Sequence, residues 1–173
     1  MLSESTMGKL YEMRLNNLVA CMAQAFRDQM TESVYVDMSF EERFGMLVDS
    51  EWHRRRNNRL ARLIKKADYV YPQACVEDIN YLSSRHLDKG QIARLSLCNY
   101  IQDCNNIIIL GATGTGKSYI SCALGIAANR NFYSVKYMRL PDLFSDLAIA
   151  RDEGNYQKAI KEYKTVKLLI LDE

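Results

Sequence analysis

The stretch Gly111-Ala-Thr-Gly-Thr-Gly-Lys-Ser118 is the most informative pattern in this 173-residue chain. It satisfies the pattern G-x-x-x-x-G-K-[ST] at every fixed position, and it follows the apolar, β-branched run Ile107–Leu110. Such a run is typical of a strand that is buried on both faces of a parallel sheet. The residues Lys117–Ala128 have a helical pattern. The sequence therefore predicts a strand, a glycine loop and a helix, in the order that a phosphate-binding loop requires.

Each residue type in this loop has a chemical role in binding phosphate. Its three glycines allow unusual backbone dihedral angles and bring amide groups close to phosphate oxygens. Lys117 would supply a positive charge to the β- and γ-phosphates, and the Ser118 hydroxyl would be a ligand for Mg²⁺. The sequence therefore predicts a P-loop NTPase with ATP and Mg²⁺ as cofactors. The predicted cofactor-binding residues are Gly111, Ala112, Thr113, Gly114, Thr115, Gly116, Lys117, Ser118 and Tyr119.

A second candidate motif ends the chain, where Leu168–Leu171 is followed by Asp172 and Glu173. The carboxyl ends of the strands face the ligand in open α/β sheets. Asp172 is therefore predicted to hold Mg²⁺ together with Ser118, and Glu173 to polarise the attacking water as a general base. On this interpretation the catalytic residues are Lys117 and Glu173. A solvated strand end is the alternative, which we would favour if the glycine loop were not present.

The first part of the chain is predicted to be all-helical. Residues 5–30 have amphipathic helical spacing, and Ser39 begins a second helix with a capping box to Glu42. The apolar stripe of that helix is interrupted near Arg55–Asn58, where we expect a bend or a break. Because the residue before a proline avoids the helical conformation, Tyr71-Pro72 marks a boundary. We place a helical region at residues 1–70 and an ATP-binding core at residues 71–173.

The second part alternates strands and helices, which predicts an α/β fold with a parallel sheet and right-handed crossovers. The P-loop strand at Ile107–Leu110 would be its first strand. The other predicted elements are a helix capped by Asp88, a strand at Ser134–Met138, a helix beginning near Pro141, a helix at residues 155–164, and a strand at Lys167–Leu171.

Basic residues are concentrated before the core, with seven Lys and Arg residues between positions 54 and 66. Several of them would share one face of a helix. Binding to duplex DNA, driven by counterion release, is one interpretation. A solvated helix face beside core leucines is the other. The predicted DNA contacts are Arg54, Arg55, Arg59, Arg62 and Lys66. For the nearby Tyr69 and Tyr71, packing is favoured over stacking on bases.

Composition excludes several classes of protein. The net charge of +2 by itself implies no partner, and no run approaches the apolar length of a membrane span. The five cysteines form no C-x-x-C pair, and the two histidines lack zinc-ligand spacing. We therefore expect reduced thiols in a cytoplasmic protein that has no membrane partner.

Three stretches together resemble the IstB-type transposition helper ATPases, which are close to the DnaC-type helicase loaders in the AAA+ class. The stretches are Asn57–Ala67, Asn106–Gly125 and Leu168–Glu173, and the resemblance covers about residues 5–173. It implies a helical N-terminal domain, an AAA+ core, and ATP-dependent assembly of a homo-oligomer on DNA to assist a transposase. It also implies the Walker A role for the glycine loop and the Walker B role for Asp172 and Glu173.

Members of the AAA+ class carry a sensor residue, an arginine finger and a helical lid after Walker B, whereas this sequence ends at Glu173. We therefore expect an AAA+-like core that is incomplete at its C-terminus, in which ATP hydrolysis is slow or absent. Three alternatives remain open. A DnaC-like loader would bind a replicative helicase, a nucleotide-gated module would bind ATP without turnover, and a metabolic P-loop kinase would bind a small acceptor and no DNA.

Overall fold

The computed structural model describes residues 37–82 and 87–173, together with Lys9, Glu12, Gln29 and Tyr35. The helix predicted at residues 5–30 lies outside the described residues, apart from Lys9, Glu12 and Gln29, which are helical. The chain divides into two compact units, Met1–Asn58 and Arg59–Glu173. The functional boundary at Tyr71-Pro72 stays a prediction.

Helix α1 spans Phe40–Ala67 and begins with the predicted capping box. The Ser39 amide donates to Glu42 Oε2 at 2.8 Å, and the Glu42 amide donates to Ser39 Oγ at 3.3 Å. These two bonds satisfy amide groups that have no partner within the helix. The capping box is therefore confirmed. In the part of the chain that the structure describes, neither α1 nor any other helix combines the length and apolar character that crossing a membrane requires.

A break near Arg55–Asn58, one of the two expected alternatives, is wrong, because α1 is continuous through these residues. Arg54 and Arg55 each bind the carboxylate of Glu51, which lies three and four residues before them. Pairs at this spacing are neighbours on a helix and stabilise it. The polar interruption in the apolar stripe is therefore compatible with an unbroken helix.

The second unit contains the predicted alternation of helices and strands. The two strands that follow the glycine loop are each displaced by one residue from their predicted bounds. The predicted cap at Asp88 is confirmed, since its Oδ1 accepts from the Gly90 amide at 2.7 Å. After α1, the elements are a 3₁₀ turn at Val76–Asp78, α2 at Lys89–Ser96, α3 at Asn99–Gln102, α4 at Lys117–Arg130, β1 at Val135–Arg139, α5 at Leu140–Asp152, α6 at Tyr156–Thr165 and β2 at Leu168–Asp172.

Strands β1 and β2 pair in parallel, as the alternating pattern predicted. The register runs from Val135 opposite Leu168 to Arg139 opposite Asp172. Both strands therefore end at the same edge of the sheet. Because Asp172 is the last residue of β2, its carboxylate lies at the edge where ligands bind in open parallel sheets.

The strand predicted at Ile107–Leu110 is wrong. These residues have no strand pairing, and the side chains of Ile108 and Leu110 are 78% and 87% exposed. Ile109 packs against the core, so the apolar run is buried on one side only. The segment and β2 line a common groove of about 410 Å³. A strand needs a neighbouring backbone for its amides and carbonyls, and an apolar composition does not show whether that neighbour is present.

Helix α4 is the centre of the core in this unit, and most of its residues from Ile120 to Asn129 are buried. The fully buried Asn129 accepts from the Tyr69 hydroxyl at 2.8 Å and donates to the Tyr133 carbonyl at 3.0 Å. Burial raises the pKa of Tyr69 far above its usual range, so this hydroxyl stays neutral. The favoured packing role of Tyr69 is confirmed by its 7% exposure.

Gly125 allows Ile170 and Tyr69 to approach α4 closely. A Cβ atom at this position would lie 2.7 Å from both Ile170 Cδ1 and Tyr69 Cε1. Tyr69 cannot move away without losing its bond to Asn129. We therefore expect Gly125→Ala to lower the free energy of unfolding by about 1 to 3 kcal/mol, as measured by urea denaturation.

The matched control is Gly45→Ala in helix α1, where an added Cβ would meet no atom within 4 Å. Because alanine favours a helix interior over glycine, this variant should be as stable as the parent or more stable by up to about 1 kcal/mol. A Gly125→Ala protein that unfolds at the parental urea concentration would contradict the close packing.

Candidate phosphate-binding site

The glycine loop has the backbone conformation that its sequence predicts. Gly114 has a φ of +80° and Gly116 a φ of +88°, both in the left-handed region that favours glycine. Gly116 is also the N-cap of helix α4. The loop therefore leads directly into the positive end of the helix dipole, where amide groups without intrahelical partners bind anions.

Lys117 folds back over the loop. Its Nζ donates to the carbonyl oxygens of Gly111 at 2.9 Å and Ala112 at 3.2 Å. The Thr115 hydroxyl also donates to the Ala112 carbonyl, at 2.8 Å. The ammonium group is thus held inside the loop by neutral acceptors, and an anion bound there would compete for it with stronger, charge-assisted hydrogen bonds.

The loop and the end of β2 line one pocket of about 420 Å³. The structure thus brings the two predicted motifs together, although Asp172 is 54 positions after Ser118 in the sequence. Of the predicted cofactor-binding residues, Gly111, Ala112 and Thr115 complete the loop without lining this pocket. The lining residues are Tyr71, Thr113, Gly114, Gly116, Lys117, Ser118, Tyr119, Asp172 and Glu173.

Asp172 is held by hydrogen bonds. The hydroxyl of the buried Tyr137 donates to Asp172 Oδ2 at 2.5 Å. Burial raises the pKa of Asp172, but the hydrogen bonds from Tyr137 and Ser118 outweigh it and hold the pKa below its usual value. The carboxylate is therefore ionised at neutral pH, which is the state that a metal ligand needs.

Tyr137 is a site residue that the sequence reasoning missed. It lies in the middle of β1, opposite Ile170, and two residues before the strand end. Burial raises its pKa, and the bond to Asp172 raises it further, so the hydroxyl remains a donor. A tyrosine within a buried strand was an available signal, since a buried hydroxyl usually has a partner. The sequence does not identify that partner.

The four cysteines in the described part of the chain do not line this pocket. Cys98 and Cys122 are buried, and burial raises the pKa of both thiols. Cys75 and Cys104 are also free thiols, while Cys21 lies outside the described residues. Within the described ranges, no group of three or more His, Cys, Asp or Glu side chains could hold a metal ion by itself.

The residues predicted to contact DNA all lie on helix α1. Glu51 accepts from Arg54 Nε and Nη2 at 2.6 and 2.7 Å, and from Arg55 Nε at 2.6 Å. The guanidinium of Arg59 lies 4.9 Å from the ring centre of Phe132. Arg62 and Lys66 are exposed. The DNA contacts stay a prediction, and the sequence reasoning missed Glu51 as the counter-charge of two of them.

Glu51 is almost fully buried, with 5% of its side chain exposed. Hydrogen bonds from Arg54, opposed by burial and assisted by Arg55, lower the pKa of Glu51 to about 2. A lowered pKa in the folded state adds stability above the ordinary value of 4.5, and this stability is lost as the pH falls toward 2.

We therefore expect Glu51→Gln to reduce the free energy of unfolding by about 1 to 3 kcal/mol at pH 7. The difference from the parent should shrink between pH 4.5 and pH 2 and vanish below that, in urea denaturation at stepped pH. Asp49→Asn, at an exposed position of the same helix, is the control and should change stability little. A difference that is independent of pH would show that the ion pairs do not account for it.

Several known proteins that are similar to this chain are named for ATP binding. The IstB-like ATP binding protein family matches residues 9–173. A protein named as an ATP-binding protein of insertion sequence IS1162, from Pseudomonas fluorescens, is 37% identical over all 173 residues, which cover 73% of its length. An insertion-sequence ATP-binding protein of Sinorhizobium fredii is also 37% identical over the whole chain and 69% of its own length.

A more distant relative is named as the ATP-binding protein of insertion sequence IS21 in Pseudomonas aeruginosa. It is 24% identical over 137 residues, or 79% of this chain and 51% of that protein. The family match spans nearly the whole chain and includes the glycine loop and the acidic end of β2. The chain therefore belongs to the IstB-like ATP-binding proteins of insertion sequences, a family of transposition helpers.

Proposed function

We propose that this chain binds ATP with Mg²⁺ in the glycine-loop pocket, and that the nucleotide controls assembly on duplex DNA in support of a transposase. The observation that carries the proposal is the single pocket in which Lys117, Ser118, Asp172 and Glu173 meet. Its amide groups, ammonium and carboxylates match the charges of a nucleoside triphosphate and a divalent ion.

Each group has a defined task in this proposal. The loop amides and Lys117 bind the phosphates, and Lys117 exchanges its carbonyl partners for phosphate oxygens. Ser118 and Asp172 supply the hydroxyl and carboxylate oxygens that Mg²⁺ prefers, and Tyr137 keeps Asp172 in place. A bound Mg²⁺ would neutralise charge on the phosphates. Glu173 would orient a water molecule and accept its proton.

Helix α1 would provide the DNA contact. Its exposed Arg62 and Lys66, together with Arg55 and Arg59, place positive charge along the helix at positions that suit phosphate contacts. The insertion-sequence relatives favour a transposase as the partner over a replicative helicase. Recovery of a helicase and no transposase in a pull-down would instead support a loader role.

Binding without turnover is the second candidate function for the chain. Lys117 and Asp172 are sufficient to hold nucleotide and metal, whereas acceleration of hydrolysis in related mechanisms also depends on an arginine finger. Saturable ATP binding with phosphate release at the background rate would establish the binding module. Phosphate release that depends on Glu173 would establish the ATPase.

Lys117→Ala tests the nucleotide site. Removal of a charge-assisted hydrogen bond to phosphate should weaken ATP binding by at least about tenfold in isothermal titration with Mg²⁺ present. The control is Lys158→Ala, which removes the same charge from an exposed position of helix α6. It should bind ATP as the parent does. Parental affinity in the Lys117→Ala protein would count against the site.

Arg55→Ala combined with Arg59→Ala tests the DNA contact. The double variant should bind duplex DNA more weakly, and the slope of log affinity against log salt should flatten by roughly 0.9 for each phosphate that is no longer bound. Lys158→Ala combined with Lys161→Ala removes two exposed positive charges from α6 and should keep the parental slope. An equal decrease of affinity in both double variants would reject helix α1 as the contact surface.

A further inference from the structure

The segment between helix α1 and the 3₁₀ turn is fixed against helix α4 beside the glycine loop. Tyr69 is anchored through its hydroxyl, which donates to Asn129 Oδ1 at 2.8 Å near the end of α4. Farther along, the Cys75 amide donates to the Tyr119 hydroxyl at 3.2 Å. The backbone is therefore held from both sides of the residues that lie between these anchors.

Tyr71 lies between these two anchored positions, but its ring is not buried. The side chain is 47% exposed, in contrast to the buried Tyr69 and Ala74 on either side. The packing role that the sequence favoured for Tyr71 therefore holds only in part. Its ring contacts Tyr119, with the ring centres 5.9 Å apart and the planes tilted by 56°. Pro72 restricts the backbone of Tyr71 further. An aromatic ring is thus presented on a rigid support.

This ring lines the same pocket as the glycine loop and the end of β2. The loop amides, Lys117, Ser118 and Asp172 account for the phosphates and the metal in the proposed function. The ribose and base of a nucleotide then need other partners in the same pocket. Tyr119 directly follows Ser118 at the start of α4, and Tyr71 lies against Tyr119. The aromatic pair is therefore placed beside the phosphate site, within reach of a base.

We propose that Tyr71, supported by Tyr119, stacks on the nucleobase of the bound nucleotide. The inference rests on the proposed function, because it assigns the base end of the same ligand. Stacking of a base on an aromatic side chain contributes substantially to affinity, and it needs a π-face on the base and no particular hydrogen-bonding edge. A substitution at Tyr71 should therefore change the affinity for a whole nucleotide and leave the affinity for its phosphates alone unchanged.

The experiment compares ATP with inorganic tripolyphosphate, both with Mg²⁺, in isothermal titrations of the full chain. Tyr71→Ala should raise the Kd for ATP by about tenfold and leave the Kd for tripolyphosphate within about twofold of the parent. Tyr71→Phe keeps the ring and should restore ATP affinity. Val70→Ala is the matched control, since Val70 is similarly exposed and does not line the pocket.

Tyr71→Leu serves as a second variant if alanine disturbs the contact with Tyr119, because it keeps apolar volume without a π-face. An unchanged Kd for ATP in the folded Tyr71→Leu protein would overturn the stacking role. Equal weakening of ATP and tripolyphosphate would also overturn it, since the ring would then act on the loop. If the parent bound tripolyphosphate but not ATP, the stacking proposal would be wrong, whereas the proposed phosphate site would stand. If it bound neither ligand, the proposed function would fail as well.

Discussion

The close approach of helix α4 to strand β2 at Gly125 is the contact on which the geometry of the site depends. Gly125 permits Ile170 and Tyr69 to lie against the helix at a distance that a larger residue would not allow. Because Ser118 is at the start of α4 and Asp172 at the end of β2, the same packing brings a hydroxyl and a carboxylate to one pocket. A loop from one element and an acid from another thereby form one pocket.

The charged groups of this pocket already have hydrogen-bond partners within the chain. Lys117 is bound by two carbonyl oxygens of its own loop, and Asp172 is bound by Tyr137. In both arrangements a charged group is kept in position by hydrogen bonds to neutral groups. A ligand that carries negative charge and a divalent ion would meet groups that are already oriented, which lowers the cost of ordering them on binding.

Local features of this fold could be predicted from the sequence, whereas features that depend on distant neighbours could not. The capping box at Ser39, the cap at Asp88 and the positive φ of Gly114 and Gly116 follow from residue type and short spacing. The meeting of the loop with Asp172 followed from the rule that parallel strands end at one edge. The exposure of Ile108 and the partners of Tyr137 and Glu51 depend on which backbone or side chain lies opposite.

Amide hydrogen exchange in the glycine loop reports on phosphate binding itself, because the loop amides are the groups that would bind phosphate. On addition of ATP and Mg²⁺ to the folded chain, we expect slower exchange at residues 111–118 and in the first turn of α4, with little change in helix α6. Unchanged exchange across the loop at saturating nucleotide, or protection confined to another part of the chain, would contradict this expectation.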